Sequence, residues 1–137
     1  MIYIKEYTIT SERDSLQDIS DKVIETINES KIANGTVTVE TTAQASGIFK
    51  ADLLGLEVEK DIIKEMRRIV PARINFCYQE SPENAAGHIK NALFGSSVSM
   101  ILKGGKLLCE GKQNICFADY DGPRELSYSV CVMGEKE

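Results

Sequence analysis

Residues 97–133, SVSMILKGGKLLCEGKQNICFADYDGPRELSYSVCVM, decide the fold class of this chain. Strand-forming runs alternate here with turn-forming residues. Gly104-Gly105 is a two-residue hairpin signal between SVSMIL and KLLC. The next strand is expected at about 112–120, before a turn at Asp121-Gly122-Pro123-Arg124. The last strand places alternate apolar side chains on one face: Leu126, Tyr128, Val130 and Val132. The stretch therefore predicts consecutive antiparallel hairpins.

The chain before residue 97 mixes strands with helices. Residues 1–10, MIYIKEYTIT, favour a strand, and SERDS favours a turn. TVTVETTA at 36–43 predicts a strand with Val37 and Val39 on one side and polar residues on the other. QASGIFKA at 44–51 is expected to form a second extended segment. Strands and helices followed by hairpins are typical of an α+β fold, not of a doubly wound parallel sheet.

Three segments have helical spacing. The first carries apolar residues from Leu16 to Ile27; it starts at Ser15, or at Ser20 after a short extended DSLQDI, and Asn34-Gly35 closes it. The second has an apolar stripe of Val58, Ile62, Met66 and Ile69, and Pro71 ends it. The third is predicted at about 82–94, with Ser81 as N-cap, Pro82 as its first residue and Gly95 just past its end.

Composition limits the classes of function. A chain of 137 residues with 42% hydrophobic and 27% charged residues is typical of one domain, taken as residues 1–137. A net charge of −5 argues against binding to nucleic acid or to an anionic membrane. No apolar run reaches the roughly 18 residues that cross a bilayer, and the N-terminus has no pattern of a secretion signal.

The four cysteines, Cys77, Cys109, Cys116 and Cys131, form no CxxC pair and lie in or beside apolar stretches. We therefore expect mostly buried, reduced thiols in a cytoplasmic protein, and neither a disulfide framework nor a four-cysteine zinc site. The chain has no GxxxxGK[ST] loop, no GxGxxG fingerprint and no GxSxG elbow. A single histidine, His88, also excludes an HExxH zinc site.

Three blocks together carry a resemblance: VTVETTAQASGIF at 37–49, PENAAGHIKNALFGSSVSMIL at 82–102, and GGKLLCEGKQNICFADYDGPRELSYSV at 104–130. Their order and spacing resemble the YjbQ-like proteins, often called secondary thiamine-phosphate synthase enzymes. The resemblance covers roughly residues 1–134. It implies a mixed, mostly antiparallel sheet that forms a barrel-like core with packed helices. It also implies a homotrimer with a polar pocket near the subunit interfaces and a weak capacity to make thiamine phosphate from a pyrimidine pyrophosphate and a thiazole phosphate.

The family's site is described by three histidines, and this chain departs from that pattern. Glu40 stands where a histidine normally precedes Thr-Thr-Ala, and Cys77 stands at the second position. His88 is kept, with Asn84 one turn before it. Where the family typically has Gly-Thr-Trp-Gln, this chain has Glu110-Gly111-Lys112-Gln113. Gln113 is therefore kept, and Lys112 replaces the tryptophan. Asp119 stands where a glutamate is common.

The resemblance implies roles for these residues. His88 would transfer protons, with Glu40 and Cys77 in altered catalytic roles. Substrate would be oriented by hydrogen bonds from Thr41, Thr42, Asn84 and Gln113. The residues alone also allow plainer interpretations: a boundary histidine bonded to a backbone carbonyl, a solvated carboxylate at 40 and a buried or half-buried thiol at 77.

Asn84 and His88 share a helix face at the edge of an apolar arc formed by Ala85, Ile89, Ala92 and Leu93. No cofactor is firmly implied. A divalent metal is an alternative, since Glu40, Cys77 and His88 together offer zinc an O/S/N set with one open position.

Two hypotheses of different class follow. The first is a cytoplasmic trimeric enzyme with a small-molecule pocket, a phosphorylated substrate and weak thiamine-phosphate synthase activity. The second is a catalytically degenerate relative that binds a small molecule without transforming it, because two imidazoles are lost. Glu40 bears on this choice, since a carboxylate in the pocket would repel a pyrophosphate by about 1 kcal/mol at 4 Å in water. Lys112 would offset that charge if it points inward.

Overall fold

The computed structural model describes residues 1–52, 55–78 and 80–137. These residues form eight strands and three helices in an α+β arrangement. The strands are β1 Ile2–Ser11, β2 Ser15–Asp18, β3 Asn34–Glu40, β4 Ser46–Asp52, β5 Ser97–Lys103, β6 Lys106–Leu107, β7 Gln113–Asp119 and β8 Arg124–Glu135. The helices are α1 Ser20–Ser30, α2 Leu56–Ile69 and α3 Pro82–Phe94.

The strands form two antiparallel sheets, of five strands in the order β1-β8-β3-β5-β6 and of three in the order β2-β7-β4. The five-stranded sheet curls into a half-barrel, in agreement with the barrel-like core that the resemblance implies. The C-terminal strand β8 lies inside this sheet, between the edge strand β1 and the central strand β3. Because both neighbours come from the start of the chain, the two ends are joined in one sheet.

The hydrophobic core lies between the two sheets and α1. Alternation along β3 directs Val37 and Val39 inward, and both are fully buried. Val130 and Val132 of β8 are also fully buried, as is Phe117 of β7. The predicted inward faces of the strands are therefore confirmed, because burial of one sheet face fixes the register of every strand in it.

Some boundaries differ from the sequence prediction. Asn34-Gly35 does not close the first helix: α1 ends at Ser30, with Lys31 in the left-handed conformation at φ +61°, and Asn34 begins β3. The short extended piece before that helix is β2. The strand predicted over KLLC is shorter in the structure, since β6 ends at Leu107.

Helix α3 begins and ends where its capping residues predict. The Ser81 hydroxyl accepts a hydrogen bond from Asn84 N at 3.0 Å, and Pro82 occupies the first turn. Gly87 faces the body of the protein so closely that a Cβ there would lie 2.7 Å from the Ala45 Cβ. This close approach brings the helix onto β4.

The apolar arc of α3 is not the face that packs. Ala85 is buried, but Ile89 is 37% exposed, Leu93 is 61% exposed, and Ala92 is exposed as well. The buried residues of the helix are instead small or polar: Asn84, Ala85, Ala86, Gly87 and Lys90.

Among residues 1–52, 55–78 and 80–137, no helix is both long and apolar enough to cross a membrane.

Candidate functional site

His88 is the end of a chain of polar contacts on α3. Its Nε2 lies 3.0 Å from the side-chain Oδ1 of Asn84, one turn earlier. Asn84 is 7% exposed, and its Nδ2 donates to Asp121 Oδ2 at 2.6 Å. Arg13 Nη2 lies 3.6 Å from the other Asp121 oxygen. The histidine therefore binds a side-chain amide here, not the backbone carbonyl of the plainer interpretation.

These contacts fix the tautomer of a neutral His88. A carboxylate only accepts hydrogen bonds, so the Asn84 group that faces Asp121 is the NH₂. The Asn84 oxygen then faces His88 and can only accept a hydrogen bond. Nε2 of His88 must therefore be the donor and carry the proton. The lone pair of the neutral ring is consequently on Nδ1, with which the described residues form no hydrogen bond.

The segment before α3 passes the other side of the imidazole. The Tyr78 ring meets His88 edge to face, with ring centroids 5.0 Å apart. The Tyr78 hydroxyl donates to Glu80 Oε2 at 2.5 Å, and this contact raises the pKa of the phenol. Cys77 directly precedes Tyr78 and is exposed, contrary to the expected buried or half-buried thiol. The chain thus brings the backbone at Cys77 to the histidine side of α3.

Glu40 and its neighbours lie at the end of β3. Glu40 is exposed and opposes Ser97 of β5 and Ser129 of β8, on the outer face of the five-stranded sheet. Thr41 is 3% exposed, and its hydroxyl donates to the Ser127 carbonyl of β8 at 2.7 Å and accepts from Ala43 N at 3.1 Å. Thr42 is exposed, and it lies beyond the strand that was expected to extend through it.

Gln113 lies far from the histidine network within one chain. It begins β7 and donates to Asp52 Oδ1 at 2.9 Å. Asp121 follows the opposite end of the same strand, about 20 Å away at the usual rise per strand residue. Lys112, beside Gln113, is exposed at that distant end. A pocket containing both His88 and Gln113 would therefore need groups from more than one subunit.

Among the described residues, no cluster of metal-binding side chains within one chain supports the zinc alternative. In the part of the chain that the structure describes, no three histidine, cysteine, aspartate or glutamate side chains lie where one metal ion could join them. Glu40, Cys77 and His88 are consequently not a preformed metal set within one subunit.

No sequence pattern indicated a role for Asp121 or for the buried charge beside it. Asp119 is fully buried and accepts hydrogen bonds from Ser11 Oγ at 2.5 Å and from Asp121 N at 2.9 Å. Arg124 binds it with two nitrogens, at 3.1 and 2.9 Å, and also donates to the Gln44 and Ala45 carbonyls. This cluster fixes the Asp-Gly-Pro-Arg turn that carries Asp121. The Asp-Gly-Pro-Arg motif was the available signal: it predicts a turn and carries part of the family resemblance, but it gives no role to these side chains.

Fold and site together define a class: an α+β half-barrel protein whose one histidine is held by an asparagine and an aspartate beside the barrel. The family model for the UPF0047 protein YjbQ-like family matches residues 5–135. The chain therefore belongs to the YjbQ-like UPF0047 family, and the resemblance found in the sequence is confirmed.

Relatives and solved structures agree with this assignment. A UPF0047 protein of Methanocaldococcus jannaschii is 35% identical over 127 residues, which are 93% of this chain and 91% of that protein. A YjbQ-like protein of unknown function from Sulfolobus solfataricus has a TM-score of 0.89 at 22% identity, and the match covers 98% and 99% of the two chains. An uncharacterized YjbQ/UPF0047 protein from Clostridium acetobutylicum has a TM-score of 0.85 at 29% identity, covering 92% and 97%.

Proposed function

We propose that this protein is a small-molecule enzyme that resembles the secondary thiamine-phosphate synthases, with His88 as its proton-transfer group. The observation that carries this proposal is the Asp121–Asn84–His88 chain of hydrogen bonds. A buried amide anchored to a carboxylate orients the ring through Nε2, and the described residues form no hydrogen bond with Nδ1; an oriented ring of this kind is suited to a general base. A histidine that only filled space would not need both of its orienting partners.

The proposal includes assembly as a homotrimer, in which a neighbouring subunit supplies the groups that one chain keeps distant. Exposed apolar surface supports association. Ile89 and Leu93 of α3 face solvent, and Ile2 and Met133 form an exposed cross-strand pair on the outer sheet face. Exposed apolar patches of this kind are typical of protein interfaces. Light scattering and native mass spectrometry of the purified protein test the trimer, and a monomer at micromolar concentration would contradict it.

The specific reaction proposed joins a pyrimidine pyrophosphate to a thiazole phosphate: a new bond from the thiazole nitrogen to the pyrimidine's carbon replaces that carbon's bond to oxygen, and pyrophosphate leaves. Glu40 and Cys77 would then serve as a carboxylate and a thiol in place of two imidazoles, while Thr41, Thr42 and Gln113 orient substrate. The Nδ1 atom of His88 would take a proton from the bound substrate or return one to it. A cytoplasmic location fits four cysteines that form no disulfide, and cell fractionation tests it.

Activity of three purified variants tests this proposal. We expect His88→Ala to abolish thiamine-phosphate formation while the oligomer and the circular dichroism spectrum stay unchanged. Asn84→Leu removes the amide that holds the ring and should lower kcat, because an unpositioned base is out of reach of its substrate more often. Asp61→Asn, an exposed substitution on α2, is the matched control. Full activity in His88→Ala would overturn the role of His88.

The alternative is a family member that binds a small molecule without transforming it. The exposed carboxylate of Glu40 and the exposed thiol of Cys77, at positions where the family carries histidine, favour this alternative. A wild-type protein that binds the pyrimidine pyrophosphate in a calorimeter but releases no pyrophosphate would support it. A gain of turnover in the double variant Glu40→His, Cys77→His would show that only these two groups were lost.

A further inference from the structure

A cleft lies on a side of α3 other than the one that carries His88. Its volume is about 420 Å³, and it is lined by the loop after β1, the end of α2 and one face of α3. The polar side chains of its lining are Arg13, Asp14, Arg67, Glu83, Lys90 and Tyr120. Lys90 and His88 are two residues apart on the helix, so they point to different sides of it. The cleft lining includes neither His88 nor Asn84, and it shares Arg13 with the histidine network.

Lys90 is the unusual group in this cleft. It is 5% exposed, and a lysine is almost never buried so deeply without a close charged partner. Its Nζ lies 3.8 Å from Asp14 Oδ1 and 5.3 Å from the centroid of the Tyr120 ring. Among the described residues, Nζ makes this ion pair at 3.8 Å and no hydrogen bond. Burial lowers the pKa of Lys90, Asp14 raises it, and nearby Arg67 lowers it further.

The carboxylate nearest to Lys90 is already occupied. Arg67 binds Asp14 Oδ2 through both Nε, at 3.0 Å, and Nη2. This pairing neutralises much of the charge that Lys90 would otherwise meet. Arg13 is also incompletely paired, because its Nη2 remains 3.6 Å from Asp121. Lys90 and Arg13 thus both present N–H donors to the cleft that its protein groups do not fill.

We propose that this cleft binds the acidic group, a phosphate or a carboxylate, of a small-molecule ligand through Lys90 and Arg13. An oxyanion supplies the acceptors that both side chains lack, and charge-assisted hydrogen bonds of this type are among the stronger ones in proteins. Three cationic and two anionic side chains line the cleft, so its charge favours one acidic group. The proposal stands independently of any reaction at His88.

Titration of the full chain with inorganic phosphate tests this site, with acetate as the carboxylate probe and chloride keeping the ionic strength constant. Binding is followed by isothermal calorimetry and by ¹⁵N–¹H NMR. Lys90→Met retains the packing of the side chain on Tyr120 but removes the charge. We expect it to weaken binding of the preferred anion by about tenfold or more, the loss of one hydrogen bond to a charged group. Amide shifts should concentrate at residues 86–90.

Arg13→Gln is the second variant, because Arg13 is half-exposed and its loss leaves no buried cavity. It should also weaken binding several-fold, which keeps the proposal testable if Lys90→Met fails to fold. Arg68→Gln is the control, since Arg68 is exposed, pairs with Glu65 and does not line the cleft. His88→Ala should leave anion affinity unchanged. Equal affinities in all four variants, or no binding of either anion, would overturn the proposal.

Discussion

Replacement of Asp119 by asparagine should be among the most damaging single-atom changes in this protein. The carboxylate is fully buried and accepts hydrogen bonds from Ser11, Asp121 N and two nitrogens of Arg124. Asparagine keeps the shape and one oxygen, which can still face Arg124. What it removes is the negative charge, so a half-buried guanidinium is left beside a neutral amide.

The size of the effect follows from this geometry. Breaking a buried ion pair by removing one partner costs about 3–5 kcal/mol. The Arg124 side chain is 26% exposed and keeps two backbone carbonyls, so we expect the lower limit, about 3 kcal/mol. Since 1 kcal/mol shifts the Tm of a domain of this size by about 3–5 °C, the Tm should fall by about 10 °C.

Urea unfolding and thermal unfolding of wild-type and Asp119→Asn measure this cost directly. Asp61→Asn makes the same chemical change at an exposed position on α2 and should alter the free energy of unfolding by less than about 0.5 kcal/mol. A loss below about 1 kcal/mol in Asp119→Asn would refute the reasoning, because the carboxylate would then be energetically equivalent to a neutral amide.

Three further predictions concern other buried or exposed groups. Tyr120→Phe should raise the free energy of unfolding by about 1 kcal/mol, because the buried Tyr120 hydroxyl has no hydrogen-bond partner among the described residues; a loss of stability would contradict this. Burial lowers the pKa of Lys90 below 10.5, so the folded state releases this proton while the unfolded state still holds it. As the pH rises toward 10.5, the free energy of unfolding measured with denaturant should therefore rise by more in wild-type than in Lys90→Met. A thiol reagent should modify exposed Cys77 first and buried Cys116 only after unfolding, because burial raises the pKa of Cys116 to about 12; a fast phase that persists in Cys77→Ser would disprove this order.

Local signals in the sequence predicted most of the fold. Gly104-Gly105 predicts a hairpin, and alternation in β3 and β8 predicts which side chains face inward. Each signal depends on only a few neighbouring residues, and both predictions are confirmed. The caps of α3 are equally local. Lys31 shows the limit of such signals: a lysine in the left-handed conformation ends α1, whereas the sequence favours the more usual Asn-Gly three residues later.

The packing face of α3 was not predictable from its periodicity. Apolar residues on a helix are expected to face the core, yet Leu93 faces solvent and Lys90 is buried. The reason is tertiary: α3 approaches β4 through Gly87, whose missing Cβ leaves room for Ala45. A face that serves close approach contains small residues, and the large apolar residues Ile89 and Leu93 are exposed here, so the usual pattern is reversed.

The candidate site was predictable in its identities and not in its connections. Spacing alone placed Asn84 and His88 on one face, and the structure brings them into hydrogen-bond contact. The anchoring carboxylate, Asp121, comes from 37 residues further along the chain, and no local pattern links it to α3. The common pocket of His88, Glu40 and Cys77 stays a prediction, because it depends on assembly as well as on the fold.

The central claim is that Asn84 and Asp121 hold His88 with its proton on Nε2 and its lone pair on Nδ1. Imidazole ¹⁵N NMR measures this directly, and a chain with a single histidine gives one pair of ring signals. In the neutral ring we predict a protonated-type signal for Nε2, an unprotonated-type signal for Nδ1, and loss of this preference in Asn84→Leu. A ring protonated on Nδ1, or a spectrum that Asn84→Leu leaves unchanged, would contradict the account.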